Sequence, residues 1–165
     1  MKCGPENASL HVHTYREGVA AKVGHDLVIE VTRWEATFDD GAIALTADPT
    51  SLEVREGHRG VKPLSDKDRR EIVKTIDAKV LGRDPIAFRS TNVDGEAVEG
   101  ELTMAGATRP VSLALETSGG RIRATIPVVQ SEWGIKPYRG LMGALKVRDS
   151  LEVSLDVRLP PALAG

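Results

Sequence analysis

The stretch LKVRDSLEVSLDVRL, residues 145–159, decides the fold class. Its odd positions read Leu145, Val147, Asp149, Leu151, Val153, Leu155, Val157 and Leu159; its even positions read Lys146, Arg148, Ser150, Glu152, Ser154, Asp156 and Arg158. A period of two places one set on each face of an extended chain. The stretch therefore predicts a long strand with one face buried and one face wet, broken only by Asp149. At 3.6 residues per turn the same apolar side chains would scatter around a helix instead of sharing a stripe.

The rhythm recurs upstream. Val111, Leu113 and Leu115 alternate with Ser112, Ala114 and Glu116, and Ile122, Ala124, Ile126 and Val128 with Arg121, Arg123, Thr125 and Pro127. Val98, Leu102 and Met104 face away from Glu99, Glu101 and Thr103. Each is the pattern of a half-buried antiparallel strand. The N-terminal half predicts strands at 9–15, 19–24, 27–38, 42–47 and 52–55, punctuated by turn signals at Glu17-Gly18, Asp39-Asp40-Gly41 and Asp48-Pro49. Within 27–38 the apolar phase slips from Leu27, Ile29 and Val31 to Trp34, Ala36 and Phe38, which predicts a bulge at Thr32-Arg33.

One segment breaks the pattern. Ser65 offers an N-cap, Asp66 and Asp68 suit a first turn, and Ile72, Val73, Ile76 and Val80 recur at helical spacing before Gly82. This predicts one helix over about 66–81, its apolar stripe laid across one end or side of the sheet.

Composition sets the outer bounds. The 165 residues suit a single domain spanning 1–165, with an ordered core over about 9–159. With 28% charged residues, 41% apolar residues and a net charge of −2, the chain is globular rather than disordered. It has no basic excess of the kind nucleic acid demands, so no nucleic-acid partner is expected. No apolar run is long enough for a membrane span, and no apolar segment precedes the strands in the manner of a secretory signal. The expectation is a soluble, cytoplasmic protein. Cys3 is the single cysteine and has no partner for an internal disulfide.

About eight strands in hairpin order, with one helical interruption, leave a sandwich or an up-and-down barrel. An eight-stranded barrel is either filled by side chains or wide enough for one small ligand. The chain has only six aromatic residues, Tyr15, Trp34, Phe38, Phe88, Trp133 and Tyr138, and many inward positions carry small aliphatics. Both outcomes stay open on composition.

The order of motifs resembles the YceI-like lipid-binding proteins. The resemblance rests on the segment from Val19 to His25, on Pro85-Ile86-Ala87-Phe88-Arg89-Ser90, and most specifically on Gly100-Glu101-Leu102-Thr103-Met104-Ala105-Gly106-Ala107-Thr108-Arg109-Pro110-Val111. Ser131-Glu132-Trp133-Gly134-Ile135 and the alternating last strand complete it. It implies an all-β, extended eight-stranded antiparallel lipocalin-like barrel, often dimeric, whose lumen holds a polyisoprenoid or related apolar chain. The residues themselves match no phosphate loop, nucleophile elbow or paired zinc-ligand motif, so no enzyme, catalytic residue, metal or other cofactor is expected. Departures fall at Gly24-His25-Asp26-Leu27 and in Tyr138 to Ala144.

The residues expected to line the lumen are Leu27, Ile29, Val31, Leu102, Leu113, Ile122, Ile126, Leu151, Val153 and Leu155, with Trp133 near a mouth. His25 and Arg139 are the candidate headgroup contacts, and Arg109 is a further arginine beside a turn. His11, His13 and His25 would have to converge to hold a metal, and no carboxylate or cysteine completes a ligand spacing. A His25–Asp26 acid/base pair is disfavoured because adjacent strand residues point to opposite faces. Two alternatives stand beside the carrier reading: a solid barrel serving as an interaction module, and an enzyme using His25.

Overall fold

Hydrogen-bonded strand pairing dominates the structure, a computed structural model that describes residues 1–161, without the side chain of Leu141. Fourteen strands form in chain order. They are β1 (Lys2–Cys3), β2 (Ala8–Thr14), β3 (Arg16–Glu17), β4 (Asp26–Val31), β5 (Trp34–Asp39), β6 (Ala42–Ala47) and β7 (Leu52–His58). Then follow β8 (Ile86–Asp94), β9 (Ala97–Met104), β10 (Ala107–Ser118), β11 (Arg121–Val129), β12 (Arg139–Gly140), β13 (Leu145–Val147) and β14 (Ser150–Arg158). Helix α1 (Asp66–Thr75) interrupts the hairpins between β7 and β8.

Eleven strands make one curled antiparallel sheet in the order β1-β5-β6-β8-β9-β10-β11-β14-β2-β4-β7, and β12-β13-β3 form a small second sheet. The expected count was eight. The excess has a local cause: the long strand expected over 27–38 is interrupted at Thr32-Arg33, and its hairpin partner at Asp48 to Ser51. There the Thr32 amide donates to the Ser51 carbonyl at 2.8 Å and the Arg33 amide to Ser51 Oγ at 3.0 Å, in place of ladder bonds. The apolar phase slip is this interruption. On either side of it the register resumes, Val31 opposite Leu52 and Trp34 opposite Ala47.

Three expectations need correction. Residues 19–24 are not a strand: Gly18 turns the chain at φ 99°, and a 3-10 turn over Ala21–Val23 follows, closed by the Gly24 amide on the Ala21 carbonyl. Between Val19 and Val23 the run Ala20-Ala21-Lys22 supplies little of the β-branched surface that a pleated sheet rewards. Second, residues 145–159 split into β13 and β14, which belong to different sheets. Asp149 causes the break, because its carboxylate accepts from the Ser131 amide at 2.8 Å and the Ser131 hydroxyl at 2.6 Å. Third, β1 was not foreseen; it lies along β5 with Cys3 opposite Ala36.

The helix starts where its cap dictates. Ser65 Oγ accepts from the Asp68 amide, and the Asp68 carboxylate accepts from the Ser65 amide, a capping box. These bonds, the backbone one foremost, hold the Asp68 carboxyl below its ordinary range. Arg69 donates to the Arg55 carbonyl at 3.0 Å and fastens α1 to β7. A π-helical turn over Ile76–Val80 extends the helix to nearly the expected end, closed by the Leu81 amide on the Ile76 carbonyl at 2.8 Å.

Candidate functional site

The strand registers build a cavity row by row. Ile126 lies opposite Val153, Val153 opposite Val12, and Val12 opposite Ile29. One row along, Ala124 lies opposite Leu155 and Leu155 opposite Leu10. Because side chains alternate across a sheet, all of these share the inner face. The residues between them, such as Arg123, Thr125, Ser154 and His11, take the outer face. There Arg121 and Arg123 reach the Asp156 carboxylate at 2.9 and 3.3 Å.

The rows enclose one cavity of about 720 Å³. Every strand of the long ladder from β2 to β14 contributes, and Ile72, Ile76 and Val80 lay the helix stripe against it. The volume lies within the range of about 300–1,000 Å³ typical of small-molecule sites. Away from its polar end, the lining is almost wholly aliphatic, with Phe38 and Phe88 as additions. Gly100 makes room for Phe88: a Cβ there would come within 2.5 Å of the ring.

The two ends differ. One is closed: past Ala124 and Leu155 the next inward residues, Ile122 and Val157, belong to a packed cluster with Cys3, Trp34 and Ala36. At the other end lie nearly all the polar lining groups, Thr14, Arg16, His25, Lys62, Asp68, Glu71, Gln130, Tyr138 and Lys146. The lining residues that are themselves exposed, Val23, Lys62, Pro63, Asp68, Glu71 and Tyr138, mark this end as the mouth.

Arg16 organises the mouth. Its guanidinium donates to the carbonyls of Ala21 at 3.0 Å and Gly24 at 3.1 Å, and also to that of Arg59, so it ties two loops together. Its Nε is buried without a partner, and no carboxylate among the described residues lies within ion-pair distance of it. His25 lies beneath Gly60, with Nε2 2.6 Å from the Lys62 carbonyl. The Asp26 carboxylate is engaged elsewhere, accepting from the Arg16 amide at 2.9 Å and meeting Arg59 at 3.1 Å, so His25 and Asp26 do not pair. His11 and His13 sit on the outer face, with His13 on Ser154 Oγ at 2.9 Å, apart from His25 inside. The three histidines do not converge.

Of the eleven residues expected to line the lumen, Leu27, Ile29, Val31, Leu102, Leu113, Ile126, Leu151, Val153 and Leu155 do so. Ile122 faces the right way but falls past the closed end. Trp133 is a buried anchor, 2% exposed, whose indole N–H donates to the Leu102 carbonyl at 2.9 Å; it packs with Val128 and Ile135 and is not itself part of the lining. Its place in a short turn, Gln130–Trp133, removes it from strand alternation. His25 is among the lining residues. Arg139 is not: it is exposed on β12 and points outside the lining. Arg109 donates to the Glu132 carbonyl and takes no part. Sequence reasoning missed Arg16 and the helix residues, although Ile72, Ile76 and Val80 carried the signal in their spacing.

Among known proteins, a family model described as the YceI-like domain matches residues 6–159. The crystal structure of BcnA from Burkholderia cenocepacia is similar in fold, with a TM-score of 0.55 at 14% identity, covering 91% of this chain and 94% of that one. No curated protein matches the sequence.

Proposed function

Since the chain belongs to the YceI-like family, we propose that it binds an apolar, chain-like molecule, of polyisoprenoid, isoprenoid-quinone or fatty-acyl type, in the lumen of an eight-stranded lipocalin-like barrel. The single observation that carries this reading is the continuous aliphatic cavity of about 720 Å³, closed at one end and polar at the other. A chain enters tail first, and its polar head meets His25, Arg16 and Lys62 at the mouth.

The barrel reading rests on pairing. Hydrogen bonding runs from β2 to β4, along the chain through Thr32-Arg33 to β5, then by way of β6, β8, β9, β10, β11 and β14 back to β2. With β4–β5 and β6–β7 each taken as one interrupted strand, the circuit has eight long strands and β1 is an addition. A solid barrel would need side chains where the cavity lies, which weighs against the interaction module. An enzyme built on His25 would need a reactive partner beside it, and its ring nitrogen meets a backbone carbonyl instead. The homodimer belongs to the same reading and is measured by sedimentation.

Native mass spectrometry of the protein as purified, with an organic extract run in parallel, tests the proposal. An added mass that the extract resolves as a prenyl or acyl chain supports it. An apo mass that stays unchanged after incubation with prenyl and acyl lipids refutes it.

A further inference from the structure

Every large apolar side chain that the described residues leave exposed, Val19, Val23, Val61, Tyr138 and Met142, belongs to a segment that reaches the mouth, where Val23 and Tyr138 line the cavity. They come from three segments far apart in sequence, 18–25, 59–64 and 134–147. The fold joins these segments closely. The Ala20 amide donates to the Ala144 carbonyl at 2.9 Å, Arg16 bridges Ala21, Gly24 and Arg59, and His25 meets Lys62. Met142 sits at φ 57°, a backbone conformation few side chains adopt, and its side chain stands free in solvent.

The charge of these segments is one-sided. They hold Lys22, Arg59, Lys62, Lys136, Arg139 and Lys146 and no Asp or Glu, although the chain as a whole carries 24 acidic residues against 22 basic ones. Of the six cations only Arg59 meets a carboxylate, that of Asp26; the other five have none within 4.0 Å among the described residues. Two carboxylates also stand at the mouth, Asp68, which stays ionised as it caps α1, and Glu71, 3.9 Å from Lys74, while Glu17 beside it faces Arg148 at 3.9 Å; the six cations outnumber them.

Exposed apolar side chains interspersed with unpaired cations are the composition that settles at the headgroup boundary of an anionic bilayer. We infer that the mouth rim is a docking surface for an anionic lipid membrane, which presents the open end of the cavity to the bilayer. A nucleic acid would answer the charge but not the five apolar side chains. The inference rests on the carrier reading for its purpose, since a lipid must enter from somewhere, but its geometry stands independently.

The test is co-sedimentation with phosphatidylcholine vesicles, with and without phosphatidylserine, at low and high salt. The protein is expected to bind only the anionic vesicles and to be released by salt. At roughly fivefold per basic residue near such a surface, Lys22→Glu/Arg139→Glu weakens partitioning by at least roughly 25-fold. Val19→Ser/Met142→Ser weakens it as well, and Lys79→Glu/Arg158→Glu, outside the rim, leaves it unchanged. All six positions are exposed, so folding is not at stake. Absence of binding at low salt overturns the inference, as does binding indifferent to the rim variants. Self-association abolished by Val19→Ser/Met142→Ser, without vesicle binding, assigns the surface to a second copy and also overturns it. Membrane binding by a protein whose extract holds no lipid supports docking while it removes the carrier reading, so the two fail separately.

Discussion

A tryptophan placed across the lumen should abolish ligand-induced stabilisation while sparing the fold. Val153 is suited to this: it is half-buried, lines the cavity and sits between Ile126 and Val12 in the middle row. At roughly 30 Å³ for a group the size of a water, the cavity of about 720 Å³ accommodates roughly 24 methylene-sized units. A chain of about 20 carbons gains on the order of 16 kcal/mol gross, at about 0.8 kcal/mol per methylene. Association and ordering cost about 4–15 kcal/mol, and the middle of the remainder corresponds to micromolar affinity. Ligand at about 100 times its dissociation constant stabilises by about 2.7 kcal/mol, which raises Tm by roughly 5–11 °C for a chain of this length. Val153→Trp adds about seven heavy atoms to the lumen and displaces about as many carbons, a loss of roughly 5–6 kcal/mol. The thermal shift with a prenyl or acyl chain should therefore vanish in Val153→Trp and persist in Val153→Ala, with both variants folded by circular dichroism. An equal shift in Val153→Trp would show that the ligand binds elsewhere and refute the reasoning.

Other consequences are as direct. Arg16→Met removes the Nη1 donor that meets the carbonyls of Ala21, Gly24 and Arg59; it should lower stability by about 2 kcal/mol and speed hydrogen exchange in residues 18–24 and 59–62, read by mass spectrometry. Gly100→Ala pushes a methyl into the Phe88 ring and the Arg89 carbonyl, so urea denaturation should show a loss of roughly 1–3 kcal/mol. Cys3 is fully buried, and desolvation raises its thiol pKa; iodoacetamide at neutral pH should leave the native protein unmodified and label it only after unfolding. The Asp48 carboxyl is pulled down to about 2, first by the Thr50 hydroxyl, then by the Thr50 amide and Arg33. A depressed carboxyl contributes stability above its unfolded pKa of about 3.9 and loses it as pH falls through the folded value. The stability gap between wild type and Asp48→Asn should thus be full at pH 6 and close between pH 4 and 2.

The inward residues were legible because a period of two needs no tertiary information. Leu151, Val153 and Leu155 declare a face by themselves, and nine of the residues read this way line the cavity. Ile122 keeps the alternation and fails only because it lies one row past the closed end; the other failures share a cause, a local geometry that departs from strand alternation. Trp133 sits in a short turn and packs behind Val128 and Ile135 instead of lining the cavity. Asp149, which looked like a blemish in a long strand, is the point where the chain leaves one sheet for another. The segment 19–24 reads as apolar enough for a strand, yet Gly18 and the absence of cross-strand partners fold it into a turn.

The mouth was illegible for a different reason. Its cations are one, two and three to a segment, and no short window of the sequence contains more than one of the three segments. The balance of the whole chain, −2, hides the arrangement entirely: six cations stand in segments without a single carboxylate, and the remaining sixteen face all 24 acids. Segregation of this kind emerges only when strand pairing brings residue 20 to residue 144 and Arg16 draws Arg59 to Gly24. The same pairing leaves the opposite end sealed by the Cys3, Trp34 and Val157 cluster. A cavity sealed at one end forces any chain to enter and leave through the cationic, apolar-fringed rim, so a change at the rim should alter the rate of ligand transfer from vesicles more than the affinity of the lumen. Transfer measured by stopped-flow with a fluorescent acyl chain decides this: Lys22→Glu/Arg139→Glu should slow it several-fold at an unchanged dissociation constant. An unchanged rate would mean that the chain reaches the lumen by another route.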